Sequence, residues 1–319
     1  MGSTNGARIH LNPCPKVAFK SIVMSLSIYL YAEPSASTLD LADEAAYIIE
    51  LIPGADVQLR PSFIHYHLDR LPRSSREASI SSLAEQFAAL RVRNLTQQRL
   101  ATSPLYGEIQ YEKRRLEGST GHSFGVMYEG FHVMKLLQDL IDPRERALGH
   151  VHIAITNQIL GTWEDDDKRF HARSIICGVP SLISTTGLVE APAKPRDYYL
   201  LKHQYHSLGM YDAAPAELDR RFKGRFIDHD DPRMTDVVKG YVMQAIFFHL
   251  FGEAFCDSTE CRLYNAHWQE DLIHAQLELK NEFCPRHAGR LNQQRRIARK
   301  LGSSGAMGGS KRPKRVGKV

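Results

Sequence analysis

The residues best suited to chemistry lie near the C-terminus. Cys256-x4-Cys261 is followed, 22 residues later, by Cys284-x2-His287. Thiolates and imidazole suit Zn²⁺, and two close pairs joined by a helix-length spacer can deliver four ligands to one tetrahedral ion. Four protein ligands leave no position for water, so such a zinc would be structural. The plainer reading is three unrelated core cysteines and a surface histidine. The chain has five cysteines, an odd number, and three fall in this segment, which points to metal before a disulfide framework. Cys14 and Cys177 stand outside the pattern, and Cys177 reads as a small core residue.

A second set of candidates follows the first pair. His267, Glu270 and His274 are spaced i, i+3 and i+7, so a helix would present two imidazoles and a carboxylate on one face. His249 and Glu253 form an i, i+4 pair just upstream. A rebuilt site for a second divalent metal, drawn from His249, His267, Glu270 and His274, is geometrically conceivable. It would make His249, Glu253, His267 and Glu270 the catalytic candidates. The alternative is that His267 and Glu270 orient their helix while His274 and Asp271 face solvent. His150-x-His152 and His65-x-His67 read as strand pairs with both rings on one face. Glu164–Asp167 and Asp228–Asp231 are acidic runs without the remaining ligands of a calcium loop. There is no Walker motif, dinucleotide fingerprint or nucleophile elbow.

The elements that must position these residues alternate between strand and helix. Leu26–Ala32 is strand-like, Thr38–Ile52 has helical periodicity with Ser37 or Thr38 as its cap, and Asp56–Arg60 is a short strand. Ser79–Leu90 and Glu129–Ile141 read as helices and His150–Thr156 as a buried strand. Ser174–Gly178, Leu182–Ser184 and Leu188–Glu190 read as short strands. Residues 191–234 read as a long excursion with limited structure. Thr235–Gly252 is apolar nearly all round, which predicts a central buried helix capped by Thr235. Asn265–Lys280 reads as an amphipathic helix. The alternation predicts an α/β fold with a mixed, mostly parallel sheet.

The formal charge of +5 divides unevenly. Residues 290–319 carry ten Lys or Arg and no Asp or Glu, which leaves 31 basic against 36 acidic residues, or −5, in 1–289. The tail 290–319 is expected to be disordered, able to touch nucleic acid or an anionic surface weakly, or simply to solubilise. Lys311–Arg315, KRPKR, resembles a nuclear-localisation patch. No apolar run reaches the roughly 18–20 residues of a membrane span. Ser21–Ala32 reads as a first strand, or else as a signal-peptide core. Residues 1–23 read as a flexible extension, and the expected compartment is the cytoplasm.

The helix and the Cys/His segment together resemble the archaemetzincins, which carry HExxHxxGxxHC, then CxM, then a distal CxxC. Here His249-Leu-Phe-Gly252 matches HxxG, Cys256 the last Cys of the long motif, Cys261-Arg-Leu263 the CxM, and Cys284-Pro-Arg-His287 the CxxC. His171–Tyr199 resembles the strand-rich region preceding the helix. The resemblance implies a metzincin-like domain over 24–289 with a zinc-stapled helical subdomain over 253–289, and a cleft that takes a peptide or protein. The departures are chemical. Ala245 and Phe255 stand where two zinc histidines belong, Ile246 where the catalytic Glu belongs, and Leu263 where the Met-turn Met belongs. None of these can hold zinc or accept a proton from its water, so ordinary metzincin catalysis is expected to be lost.

Overall fold

The computed structural model describes residues 26–98, 100, 103–118, 125–212 and 214–305. The expected N-terminal extension with Cys14, and the KRPKR patch, lie outside the described residues. The order is β1 (Ser27–Ala32), α1 (Leu41–Leu51), β2 (Asp56–Pro61), α2 (Phe63–Leu68), α3 (Arg73–Ala89), α4 (Tyr106–Leu116), β3 (Met127–Glu129) and α5 (Gly130–Leu140). Then come β4 (His150–Thr156), β5 (Ile159–Glu164), β6 (Arg169–Arg173), β7 (Ile175–Ile176), β8 (Ser181–Ser184), α6 (Thr185–Glu190), α7 (Arg196–Ser207) and α8 (Ala214–Phe222). Last are α9 (Met234–Phe251), α10 (Gln269–Ile273) and α11 (Pro285–Gly305).

The main sheet runs β2-β1-β4-β8-β7; its first four strands are parallel, and β7 is an antiparallel edge. A smaller sheet runs β3-β5-β6. This is the mixed, mostly parallel α/β architecture expected. Strands covered on both faces need apolar residues at successive positions, and β1 and β4 supply them. Ile28, Leu30, Ile153 and Ile155 face a core built on α9, while Tyr29, Tyr31 and Ala154 face a second core under α2, α3 and α5. In α9, twelve residues from Met234 to Phe247 are buried, so the central helix is present as expected. Gly252, at φ 71°, ends it in the left-handed conformation that glycine adopts freely.

Several local expectations are corrected. Thr235 does not cap α9; its hydroxyl donates to Thr38 O and accepts from Asp40 N–H, tying α9 to the start of α1. Asp40, rather than Ser37 or Thr38, caps α1, because its carboxylate reaches two free N–H groups of the first turn. Leu188–Glu190 ends α6 and is not a strand. The excursion over 191–234 contains α7 and α8, which bury their own small cluster of Leu218, Phe222 and Phe226. The helix foreseen from Asn265 begins at Gln269 and continues into a π-type turn, His274–Glu278. The stretch 290–305, foreseen as disordered, is helical in α11. Its Leu, Gln, Arg and Ala residues favour helix, and no proline interrupts them. Arg290 pairs with Glu253, and Arg295 donates to the carbonyls of Glu50 and Leu51, so part of the basic charge is engaged with the body.

Gly187 shows how tightly α6 sits on the junction between β6 and β7. A Cβ there would fall 2.1 Å from the Arg173 carbonyl oxygen. Gly187→Ala is therefore expected to lower stability by about 1–3 kcal/mol, read from the urea midpoint, because backbone must yield.

Candidate metal centre and adjoining cleft

The segment after α9 folds back on itself. Cys256 N–H donates to Leu263 O at 2.8 Å, and Arg262 N–H donates to Glu282 O at 2.7 Å. These bonds bring Cys256 and Cys261 to the start of α11, where Cys284 and His287 wait one turn apart. The four ligand atoms lie within 4.8 Å of one another. Cys256 Sγ is 3.9 Å from Cys284 Sγ, and His287 Nδ1 is 3.4 Å from Cys261 Sγ and 3.2 Å from Cys284 Sγ. With ligand bonds of roughly 2.0–2.3 Å, one tetrahedral ion would hold its donors about 3.5–3.8 Å apart. The donor set fits a metal ion.

The group lies at the joint between α9 and α11. Cys261 and His287 are fully buried, and the His287 ring meets Phe247 of α9 edge-on at 5.3 Å. Arg262 fastens the same segment inward, donating to Asp236 O, Gln276 O and the Tyr47 hydroxyl. Burial pushes the Cys261 thiol up to about 12. At Cys284 burial works the same way and is the largest single influence, but hydrogen bonds from the backbone N–H groups of His287 and Arg286 and from the Cys261 and Cys256 thiols together outweigh it, and the thiol is lowered.

The second candidate set is not brought together. His249 Nε2 lies 2.8 Å from Leu148 O. Glu270 is ion-paired with Arg225 at 2.7 Å. His274 lies between Glu260 and Glu278. Glu253 pairs with Arg290 at 3.1 Å. His267 is exposed beside the cleft described below. Spacing along one helix cannot gather them, because His267 precedes α10 and His249 turns towards the start of β4. Among the described residues, no second group of three or more His, Cys, Asp or Glu converges on a point.

The positions that depart from the motif are equally clear. Ala245 and Ile246 are fully buried in the α9 core, Leu263 is buried beneath the Cys/His segment, and Phe255 is 41% exposed. Phe255 lines an open cleft of about 430 Å³, together with Tyr241, Trp163, His171, Arg173 and His267. One side of the cleft is made by β6 and the edge strand β7, the other by α9 and residues 265–267. The β5–β6 hairpin was not legible, because its turn, Asp165–Lys168, reads as an acidic run. The signal was there: Ile159–Glu164 and Arg169–Arg173 are β-prone segments flanking a polar turn.

The other histidine pairs do structural work. His152 Nδ1 and Arg60 both bond the Tyr31 hydroxyl, at 2.8 and 3.0 Å, and Arg60 grips Glu145 through both nitrogens. Burial pushes His67 and His152 down to about 4, so both stay neutral in the core. His65 and His67 lie on α2, not on a strand as foreseen; Phe63–Leu68 caps β2 with an apolar turn.

The fold and this centre define a mixed α/β protein with a C-terminal Cys3His group able to hold a metal ion. The chain belongs to the Probable metallopeptidase family (DUF6775), whose profile matches residues 24–294. No curated protein and no solved structure matches it. Among the described residues, no helix is long and apolar enough to cross a membrane.

Proposed function

We propose that residues 24–289 act as one metzincin-like domain of the archaemetzincin type, in which a single zinc is structural and the cleft binds an extended peptide without cleaving it. The zinc is held by Cys256, Cys261, Cys284 and His287 and staples α11 to α9. When bound it supplies rigidity, since four protein ligands leave no open position for a substrate or an activated water. The observation that carries the reading is the occupancy of the helix: Ala245 and Ile246 are sealed in the core where a metal ligand and a proton acceptor would be needed. The cleft supports the peptide half of the proposal. β7 is an edge strand, a surface on which an extended chain can add main-chain hydrogen bonds, and Phe255, Tyr241 and Trp163 offer side-chain pockets beside it.

A fluorogenic peptide panel, supplied with zinc, tests both halves. No hydrolysis is expected, while at least one extended peptide binds saturably and Phe255→Asp weakens that binding roughly tenfold. Zinc-stimulated hydrolysis abolished by His267→Ala would overturn the reading, as would a panel in which no peptide binds.

A further inference from the structure

Glu33 and Arg115 face a small cavity on the side of the main sheet away from the metal centre. Glu33 follows β1, and Thr156 ends β4. From β1 the chain leads to β2 on one side, while β4 lies on the other. This divergence, outside the carboxyl ends of parallel strands, is where α/β sheets take ligands. The cavity measures about 40 Å³, and its walls include Ile64, Phe87, Leu137 and Leu182. On the measure by which one water needs about 10–15 Å³, it has room for roughly three such groups.

Arg115 is held rigidly beside it. Its Nε donates to Glu112 at 2.8 Å, and its guanidinium lies 4.7 Å over the Phe87 ring and 5.6 Å from that of Tyr128. Its Nη2 is buried and, among the described residues, has no hydrogen-bond partner. A buried guanidinium N–H without an acceptor is costly, so the arrangement calls for one. Glu33 does not supply it. Its Oε1 accepts the Phe63 N–H, and no ion pair or hydrogen bond joins Glu33 to Arg115. Burial pushes the Glu33 carboxyl up to about 7, against the opposing pulls of the Phe63 N–H and Arg115. Near neutral pH it therefore spends part of its time as a hydrogen-bond donor.

We infer that this cavity is a binding site for a small carboxylate of about acetate size, its oxygens on Arg115 Nη2 and the Glu33 carboxyl and its carbon end among Ile64, Leu137 and Leu182. The inference is independent of the zinc and of the cleft. A bridging water is the competing occupant, and charge and size distinguish the two.

Calorimetric titration of the full chain with sodium acetate, and with acetamide as its neutral isostere, provides the test. Acetate is expected to bind saturably and acetamide at least about tenfold more weakly, the loss of one charge-assisted bond. Ala154→Leu, at a buried wall position, is expected to abolish acetate binding by filling the space. Arg115→Gln is expected to weaken it about tenfold or more; Glu112 keeps Arg91 and the Tyr128 hydroxyl as partners, so the fold retains its buried carboxylate contacts. Glu33→Gln, which keeps a donor, should bind acetate at least as well as the parent chain. Absence of acetate binding, equal binding of acetamide, or binding unchanged in both Ala154→Leu and Arg115→Gln would overturn the inference and leave water as the occupant.

Discussion

Replacing Cys261 with serine is expected to strip the metal from the chain and lower its stability by at least about 3 kcal/mol, a fall in Tm of roughly 5–10 °C. Cys261 is fully buried, and its sulfur lies 3.4 Å from His287 Nδ1. Without the ion, Cys256, Cys284 and His287 would remain crowded together with nothing to join them, and α11 would lose its fastening to α9. Binding free energies for structural zinc run to about 10–16 kcal/mol in small fingers, so a loss of a few kcal/mol in a larger domain is a modest demand. The check is a pair of thermal melts. A strong chelator should lower the Tm of the parent chain by about as much as the substitution does, and should add nothing to Cys261→Ser. Cys177→Ser should keep the metal, since Cys177 lies on the cleft side, outside the ligand group.

The second large effect is a pH dependence set by Glu44. This residue of α1 is fully buried, and among the described residues neither carboxylate oxygen has a hydrogen-bond partner. Lys239 and Arg262 are nearby but committed elsewhere, Lys239 to Asp43 and Asp236 and Arg262 to Glu282. Burial therefore prevails and pushes the carboxyl from 4.5 up to about 9. The sign follows directly. Between those values the folded chain keeps the proton and the unfolded chain releases it, so folding binds protons and stability falls as pH rises. The slope from this one group approaches about 1.4 kcal/mol per pH unit. Its contribution is fully present below about 4.5 and lost by about 9. Glu44→Gln removes the titration. Urea midpoints of the two chains should nearly coincide at pH 5 and separate steadily towards pH 8, with the glutamine chain the more stable. Parallel curves would show that Glu44 finds a partner when it ionises.

The sequence carried the metal centre more completely than it carried the fold around it. Cys256, Cys261, Cys284 and His287 were legible because ligand identity and short spacing are both local properties, and the intervening chain had only to return. β1, β4 and α9 were legible because most of their residues are buried and their sequences are correspondingly apolar. The set His249, Glu253, His267, Glu270 and His274 was misleading for the complementary reason. Periodicity places residues on a face only where the helix exists, and α10 starts two residues after His267. What each side chain then meets, Arg225 for Glu270 or Leu148 O for His249, is a tertiary matter that spacing does not encode. The cavity beside Arg115 was invisible for the same reason. Its residues come from separate elements between Glu33 and Leu182, and each alone is unremarked in the sequence. α7 and α8 were missed because they bury little, and polar helices leave a weak pattern.

The central claim is that the chain holds one closed metal centre and no open one. Metal analysis of the purified full chain combined with zinc-edge X-ray absorption tests it most directly. The account predicts one zinc per chain, bound by three sulfurs at about 2.3 Å and one nitrogen at about 2.0–2.1 Å, with no water in the shell. A second equivalent of tightly held metal, or a shell of nitrogen and oxygen ligands that survives Cys284→Ser, would contradict it.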